Sequence, residues 1–196
     1  FEDNHSDVRI TAARALVELG NSSETLVNTL LALLEDNHSD VRITAARALV
    51  ELGNSSETLV NTLLALLEDN HSDVRITAAR ALGNLGNSSE TLVSTLLALL
   101  QDHDLVVRGE AADALGNLGN SSETLVSTLL ALLQDHDSEM RGRVVYALGK
   151  LGKTSNDIIP TVTKWIEQHQ DSDYVGRGID VLWDLVVDGE QGAGSR

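Results

Sequence analysis

Apolar residues recur along this chain at the spacing of helical faces, and the whole pattern repeats every 33 residues. In residues 36–68, one apolar stripe at helical spacing consists of Val41, Ala45, Ala48, Leu49 and Leu52. A second, wider apolar face consists of Leu59, Val60, Leu63, Leu64, Leu66 and Leu67. The same segment begins again at Asp3, Asp36, Asp69, Asp102 and Asp135. A fixed period of this size predicts stacked helix pairs, in which each pair buries its apolar face against its neighbours.

Turn signals separate the two helical patterns within each copy. Gly53 follows the first stripe, where a residue of positive φ ends a helix. Asn54 is predicted to cap the next helix, with Glu57 completing a capping box. Because such short loops make neighbouring helices antiparallel, we predict a lone helix over 6–19 and then hairpins over 22–52, 55–85, 88–118, 121–151 and 155–187. These elements form one predicted solenoid domain over 1–188, followed by a disordered tail over 189–196.

The copies diverge toward the C-terminus. Residues 2–34 and 35–67 are identical, whereas the last hairpin differs most and resembles an end cap. In the first helix, Val8 and Leu16 have no preceding helix to cover them. Since solenoids usually close with polar terminal repeats, we expect either that the native chain continues upstream or that this uncapped N-terminal helix self-associates.

Charge narrows the partner classes. The 30 acidic residues outnumber 14 basic ones, which gives a net charge of −16. Nucleic acids and anionic membranes are therefore disfavoured as partners, because binding them requires clustered Lys and Arg. The chain has no cysteine, which excludes disulfides and thiolate zinc sites and fits a cytoplasmic location.

The repeated unit resembles a HEAT repeat. Its carrying features are Leu-Leu-x-Leu-Leu-x-Asp, then Val-Arg, then Ala-Ala-x-Ala-Leu-x-x-Leu-Gly. The resemblance implies an all-α fold, a right-handed α–α superhelix of antiparallel helix pairs of the HEAT or armadillo type. It also implies an Asp–Arg ladder between successive repeats, which places structural roles on Asp36, Arg42, Asp69, Arg75, Asp102, Arg108, Asp135 and Arg141. Loss of Arg75 is accordingly expected to lower stability without affecting a binding site.

The same resemblance implies that the second helix of each hairpin lines a concave face. A partner segment is expected to lie along that face, on the residues Ile43, Arg47, Ile76, Arg80, Glu110, Asp113, Arg143 and Tyr146. The opposing interpretation is that the isoleucines only pad neighbouring helices and that Arg14 pairs with Glu18. The variable positions Glu110, Asp113, Arg143 and Tyr146 are the expected specificity region.

Other chemistry is weakly supported. The recurring histidines, such as His38 and His71, lie one helix spacing apart, so we expect them to cap and polarise turns and not to share a metal ion. No nucleophile elbow or phosphate-binding glycine loop occurs, and no cofactor or enzymatic activity is predicted. We therefore predict a protein-interaction scaffold, a fragment of a larger protein, that binds a protein or peptide. The alternatives are a bilin lyase or isomerase subunit that handles a tetrapyrrole, and an engineered consensus array without a native ligand.

Overall fold

A computed structural model describes residues 5–18, 23–86, 88–152, 155 and 158–193. Within these residues the chain is all-α. The helices are α1 (Ser6–Glu18), α2 (Glu24–Leu33), α3 (Ser39–Glu51), α4 (Glu57–Leu66), α5 (Ser72–Leu85), α6 (Glu90–Leu99), α7 (Leu105–Leu118), α8 (Glu123–Leu132), α9 (Ser138–Gly152), α10 (Ile158–Gln168) and α11 (Val175–Ala193). Among the described residues, α1 is followed by five successive pairs of helices.

The chain forms two compact units, residues 1–85 and 86–196, and each is described separately. In the first unit, α2 packs on α3 and α4 packs on α5, while α1, α3 and α5 contact one another in order. Fully buried leucines fill its interior, among them Leu30, Leu49, Leu59 and Leu63. Neighbouring helices thus share one apolar layer, as the 33-residue pattern requires.

The first helices α2, α4, α6 and α8 each start two residues later than predicted. In α4 the N-cap is Ser56, whose hydroxyl accepts a hydrogen bond from the Leu59 amide at 3.3 Å. Asn54 instead accepts bonds from the amide and the hydroxyl of Ser56, at 3.0 and 2.8 Å. The predicted capping box of Asn54 and Glu57 is therefore wrong, because Asn54 orders the turn that presents the serine cap.

The predicted glycine stop is confirmed. Gly53 has φ +71°, and the equivalent Gly86 and Gly119 have φ +69° and +67°. The Asn54 amide also donates to the Leu49 carbonyl at 3.0 Å across this turn. A left-handed residue after the helix lets the next amides reach the last free carbonyls, and glycine adopts it without strain.

The second unit contains α6 to α11, with close contacts between α7 and α9 and between α9 and α11. Gly116 lies so near α9 that an added Cβ would be 2.9 Å from the Ala147 Cα. In the last hairpin, Ile158, Val162 and Trp165 are buried. The glycine therefore permits backbone-to-side-chain contact between α7 and α9 that a larger residue would prevent.

Two predictions at the C-terminal end need revision. Helix α11 continues to Ala193, so residues 189–193 are helical and not a disordered tail, while 194–196 lie outside the described residues. Once a helix is nucleated, adding residues is cheap, and Glu190, Gln191 and Ala193 are good helix formers that offset the two glycines of this segment. In addition, Trp183 is 69% exposed, so the face of α11 that carries it is not the polar surface expected of an end cap.

Candidate functional site

Arginine–aspartate pairs link successive repeats in the first unit. Arg9 donates to the Asp36 carboxylate, and Arg42 donates to the Asp69 carboxylate, each at 2.9 Å. Arg42 also donates to the Asp36 backbone carbonyl at 2.7 Å. One guanidinium therefore holds its own turn and the following turn together, which fixes how adjacent repeats stack.

The same aspartates also shape their turns. The carboxylates of Asp36 and Asp69 each accept a backbone amide two residues on, from His38 and His71, at 2.9 Å. Burial alone would raise the pKa of the Asp36 carboxyl, but the hydrogen bonds from Arg9 and the His38 amide, with the charge of Arg9, outweigh it and lower that pKa. Asp36 therefore remains ionised in the folded protein at neutral pH.

The remaining arginines of the predicted ladder bind backbone carbonyls. Arg75 donates to the Asp69 carbonyl at 2.8 Å, and Arg108 donates to the Asp102 carbonyl at 2.9 Å. Arg141 donates to the carbonyls of Asp135 and His136 at 2.7 and 3.1 Å. The carboxylates of Asp102 and Asp135 accept the amides of Asp104 and Asp137, each at 2.8 Å. Each position thus orders the turn before its second helix.

A cleft of about 920 Å³ lies over α1, α3 and α5 in the first unit. It contains two of the predicted binding isoleucines, Ile43 and Ile76, together with Arg47. Ile10, Ile43 and Ile76, which occupy the same position in successive copies, are all half-buried. The cleft is lined by Asp7, Ile10, Arg14, Val17, Glu18, Asp40, Ile43, Thr44, Arg47, Ala48, Glu51, Asp73, Ile76 and Thr77.

The charged groups over this cleft are exposed and do not pair with one another. Within the described residues, no group lies within hydrogen-bond or ion-pair distance of the guanidinium of Arg14 or Arg47. The expected pair of Arg14 with Glu18 is therefore not formed. Guanidinium groups without a partner among the described residues, beside half-buried apolar side chains, leave donors available for a ligand carboxylate.

A smaller cleft of about 200 Å³ adjoins the first, between α3 and α5. Arg47 and Arg80 flank it, and its walls include Val50 and Ala81. Arg80, another predicted binding residue, therefore lies beside the same surface as Arg47. The apolar walls and flanking cations suit a side chain with an apolar body.

In the second unit, the predicted binding residues contact one another. Arg143 donates to Asp113 at 2.6 Å and to Glu139 at 3.1 Å, and it lies 3.8 Å from Glu110. Glu110 is buried, at 8% exposure. Burial raises the pKa of the Asp113 carboxyl and outweighs the opposing charge and hydrogen bond of Arg143. These charges are compensated internally, in contrast to Arg14 and Arg47.

Two details complete this second cluster. Tyr146 is 53% exposed, and the ammonium of Lys150 lies 4.7 Å from its ring centroid. A Cβ added at Gly109 would meet the Arg143 Cδ at 2.5 Å. The glycine therefore makes room for the arginine side chain.

The cleft also contains acidic residues that were not predicted to bind a partner. Asp7, Asp40 and Asp73 lie three residues before the respective isoleucines, and all are exposed. Within the described part of the chain, their carboxylates form no hydrogen bond or ion pair. Their helical spacing from the isoleucines was a sufficient signal, because residues three apart share a helix face.

Comparison with known proteins identifies the family. A family model described as HEAT repeats matches residues 1–73 and 60–125, together 125 of the 196 residues. The chain belongs to the HEAT-repeat family. No curated protein matches this HEAT-repeat chain.

Several solved structures with similar folds are engineered or designed proteins. The crystal structure of one engineered protein has a TM-score of 0.60 at 23% identity, covering 95% of this chain and 93% of its own. A designed armadillo repeat protein in complex with the peptide (KR)4 has a TM-score of 0.62 at 18% identity, covering 94% and 95%. A further designed armadillo repeat protein has a TM-score of 0.59 at 19% identity, covering 94% and 96%. These similarities confirm the predicted all-α solenoid class.

Among the described residues, no three His, Cys, Asp or Glu side chains cluster in a way that could hold a metal ion. In the same part of the chain, every helix is too short or too polar to span a bilayer.

Proposed function

We propose that this HEAT-repeat chain is an interaction scaffold that binds an extended peptide segment of a partner protein across α1, α3 and α5. The observation that carries this proposal is the cleft of about 920 Å³, in which Arg14 and Arg47 lie beside the half-buried Ile10, Ile43 and Ile76. Neither arginine has a partner in the part of the chain that the structure describes. Apolar contact area flanked by charge is typical of peptide-binding surfaces.

Three features support a peptide over a compact ligand. The cleft runs across three helices, which stack at about 8–10 Å intervals, so it is long and open. Its chemistry recurs once per repeat, which suits a ligand that is itself a chain. The designed armadillo protein of similar fold binds the peptide (KR)4, which shows that such a fold can bind a peptide.

The proposal is tested by selecting peptides from an unbiased displayed library on the intact chain. Selected peptides should bind the variant Ile43→Ala/Arg47→Ala at least about tenfold more weakly than the parent protein, a difference of about 1.4 kcal/mol. The matched control is Asn61→Ala, an exposed position on α4, where affinity should not change. Selection of no peptide, or of peptides that tolerate the double substitution, would overturn the proposal.

The bilin alternative lacks a comparable feature. None of the described residues that line the larger cleft is aromatic, whereas a tetrapyrrole ring system gains much of its binding from aromatic stacking. Mixing the protein with phycocyanobilin and recording the absorbance spectrum separates the two functions. A shifted spectrum that is lost in Ile43→Ala would favour the bilin alternative.

A further inference from the structure

The side chains over the larger cleft form three parallel rows. Each second helix of the first unit presents an aspartate, an isoleucine three residues later and an arginine seven residues later. At 1.5 Å per residue, the aspartate and arginine of one helix are about 10 Å apart along its axis, with the isoleucine between them. We name these the acidic row (Asp7, Asp40, Asp73), the isoleucine row (Ile10, Ile43, Ile76) and the arginine row (Arg14, Arg47, Arg80).

The repeat of these rows across the helices fits one backbone conformation. Packed helices lie about 8–10 Å apart. A polyproline II segment has three residues per turn and rises about 3.1 Å per residue, so it returns to the same direction every ~9 Å. A β-strand alternates with a period of two residues, about 6.6 Å, and does not keep step with the helices. Of these two conformations, polyproline II is the one whose period presents one equivalent side chain to each helix.

The charges of the cleft indicate which side chains the ligand carries at the three positions of each polyproline II turn. Arg14 and Arg47 have no partner among the described residues, and the same holds for the carboxylates of Asp7 and Asp40. A purely basic ligand would place like charge on the arginine row, and a purely acidic ligand would do so on the acidic row. A ligand that carries both signs, on opposite sides of an apolar residue, neutralises both rows.

We propose that the segment bound by this cleft is a polyproline II peptide with a repeating triplet of one basic, one apolar and one acidic residue. The basic side chains lie on the acidic row, the apolar ones on the isoleucine row and the acidic ones on the arginine row. This inference rests on the proposed peptide-binding function and specifies its ligand class.

The test uses a fluorescent peptide of three Lys-Leu-Glu triplets and a control peptide of the same composition with the period broken. Fluorescence anisotropy should show at least about tenfold tighter binding of the triplet peptide. The variant Arg14→Glu/Arg47→Glu should lose at least about tenfold in affinity for it. That variant should regain binding when lysine replaces the two peptide glutamates that face positions 14 and 47, since the charges at these two positions are then opposite again, while the remaining glutamate still faces Arg80. Such rescue also demonstrates that the variant is folded.

The outcomes separate this inference from the proposed function. Equal binding of the triplet and broken-period peptides, or no rescue by the lysine peptide, would overturn the triplet inference. If library peptides still depend on Ile43 and Arg47 in that case, peptide binding itself stands. If no peptide depends on those two residues, the proposed function fails as well.

Discussion

Substituting Arg42 by alanine tests whether the ladder holds the repeats together. Its guanidinium donates to the Asp69 carboxylate at 2.9 Å and to the Asp36 carbonyl at 2.7 Å. Both side chains of the ion pair are only 11% exposed. The substitution leaves the Asp69 carboxylate with the His71 amide as its one remaining donor among the described residues.

The expected magnitude follows from these contacts. A hydrogen bond to a charged group contributes about 1.5–3 kcal/mol to stability. The Arg42 Nε is buried without a partner among the described residues, which offsets part of this gain. We therefore expect Arg42→Ala to lower the free energy of unfolding by about 2 kcal/mol and Asp69→Asn by about 1.5 kcal/mol. The double variant should lose about 1 kcal/mol less than the sum, because the two residues share one interaction.

Urea unfolding followed by circular dichroism measures these values, provided that the slope m stays constant across the variants. The matched control is Arg47→Ala on the same helix, because the Arg47 side chain is exposed and unpaired within the described residues. This control should change the free energy of unfolding by no more than about 0.5 kcal/mol. If Arg42→Ala costs no more than Arg47→Ala, or if the two ladder substitutions are additive, the ladder does not stabilise the stack.

Three further predictions concern local features. Gly116→Ala should destabilise the chain by about 1–3 kcal/mol, because the added Cβ would overlap α9. Gly142→Ala should stabilise the chain by up to about 1 kcal/mol, because the added Cβ meets open space and alanine is the better helix former. Thermal unfolding of the two variants compares these effects. Ser56→Ala should cost about 1 kcal/mol in urea unfolding through loss of the N-cap, with Ser55→Ala as control. Because the pKa of Asp36 is lowered in the folded state, its stabilisation is present at neutral pH and should be lost as pH falls below about 5, unlike in Asp36→Asn.

Each of these three predictions has an outcome that would contradict it. Equal melting temperatures for the Gly116 and Gly142 variants would mean that α7 and α9 separate without cost. Equal effects at Ser56 and Ser55 would place the helix start elsewhere. A constant stability difference between the parent and Asp36→Asn from neutral pH to acid would show that the Asp36 carboxyl has the same pKa in the folded and unfolded states.

The helices could be predicted from the repeat pattern because each position of the repeat recurs in several copies with the same type of residue. Leu59 and Leu63 recur with the period and are fully buried, and Gly53 has the positive φ that its position required. The exact cap was less predictable, since Asn54 and Ser56 are both good capping residues and only the backbone path selects between them. Contacts between copies were least predictable, because one residue type serves different partners: Arg42 binds the next turn, whereas Arg47 on the same helix binds none of the described residues.

The pairing of charges also changes which part of the predicted groove is favoured for binding. Sequence variation pointed to Glu110, Asp113 and Arg143, since positions that differ between otherwise similar copies suggest specificity for a partner. In the structure, however, Arg143 already contacts both carboxylates, so a ligand would have to break these pairs before it gained any contact. Arg14 and Arg47 carry no such cost among the described residues. A surface charge is therefore a better candidate for partner recognition where the fold leaves it unpaired. On this ground the near-identical copies of the first unit are favoured for binding over the divergent copies of the second.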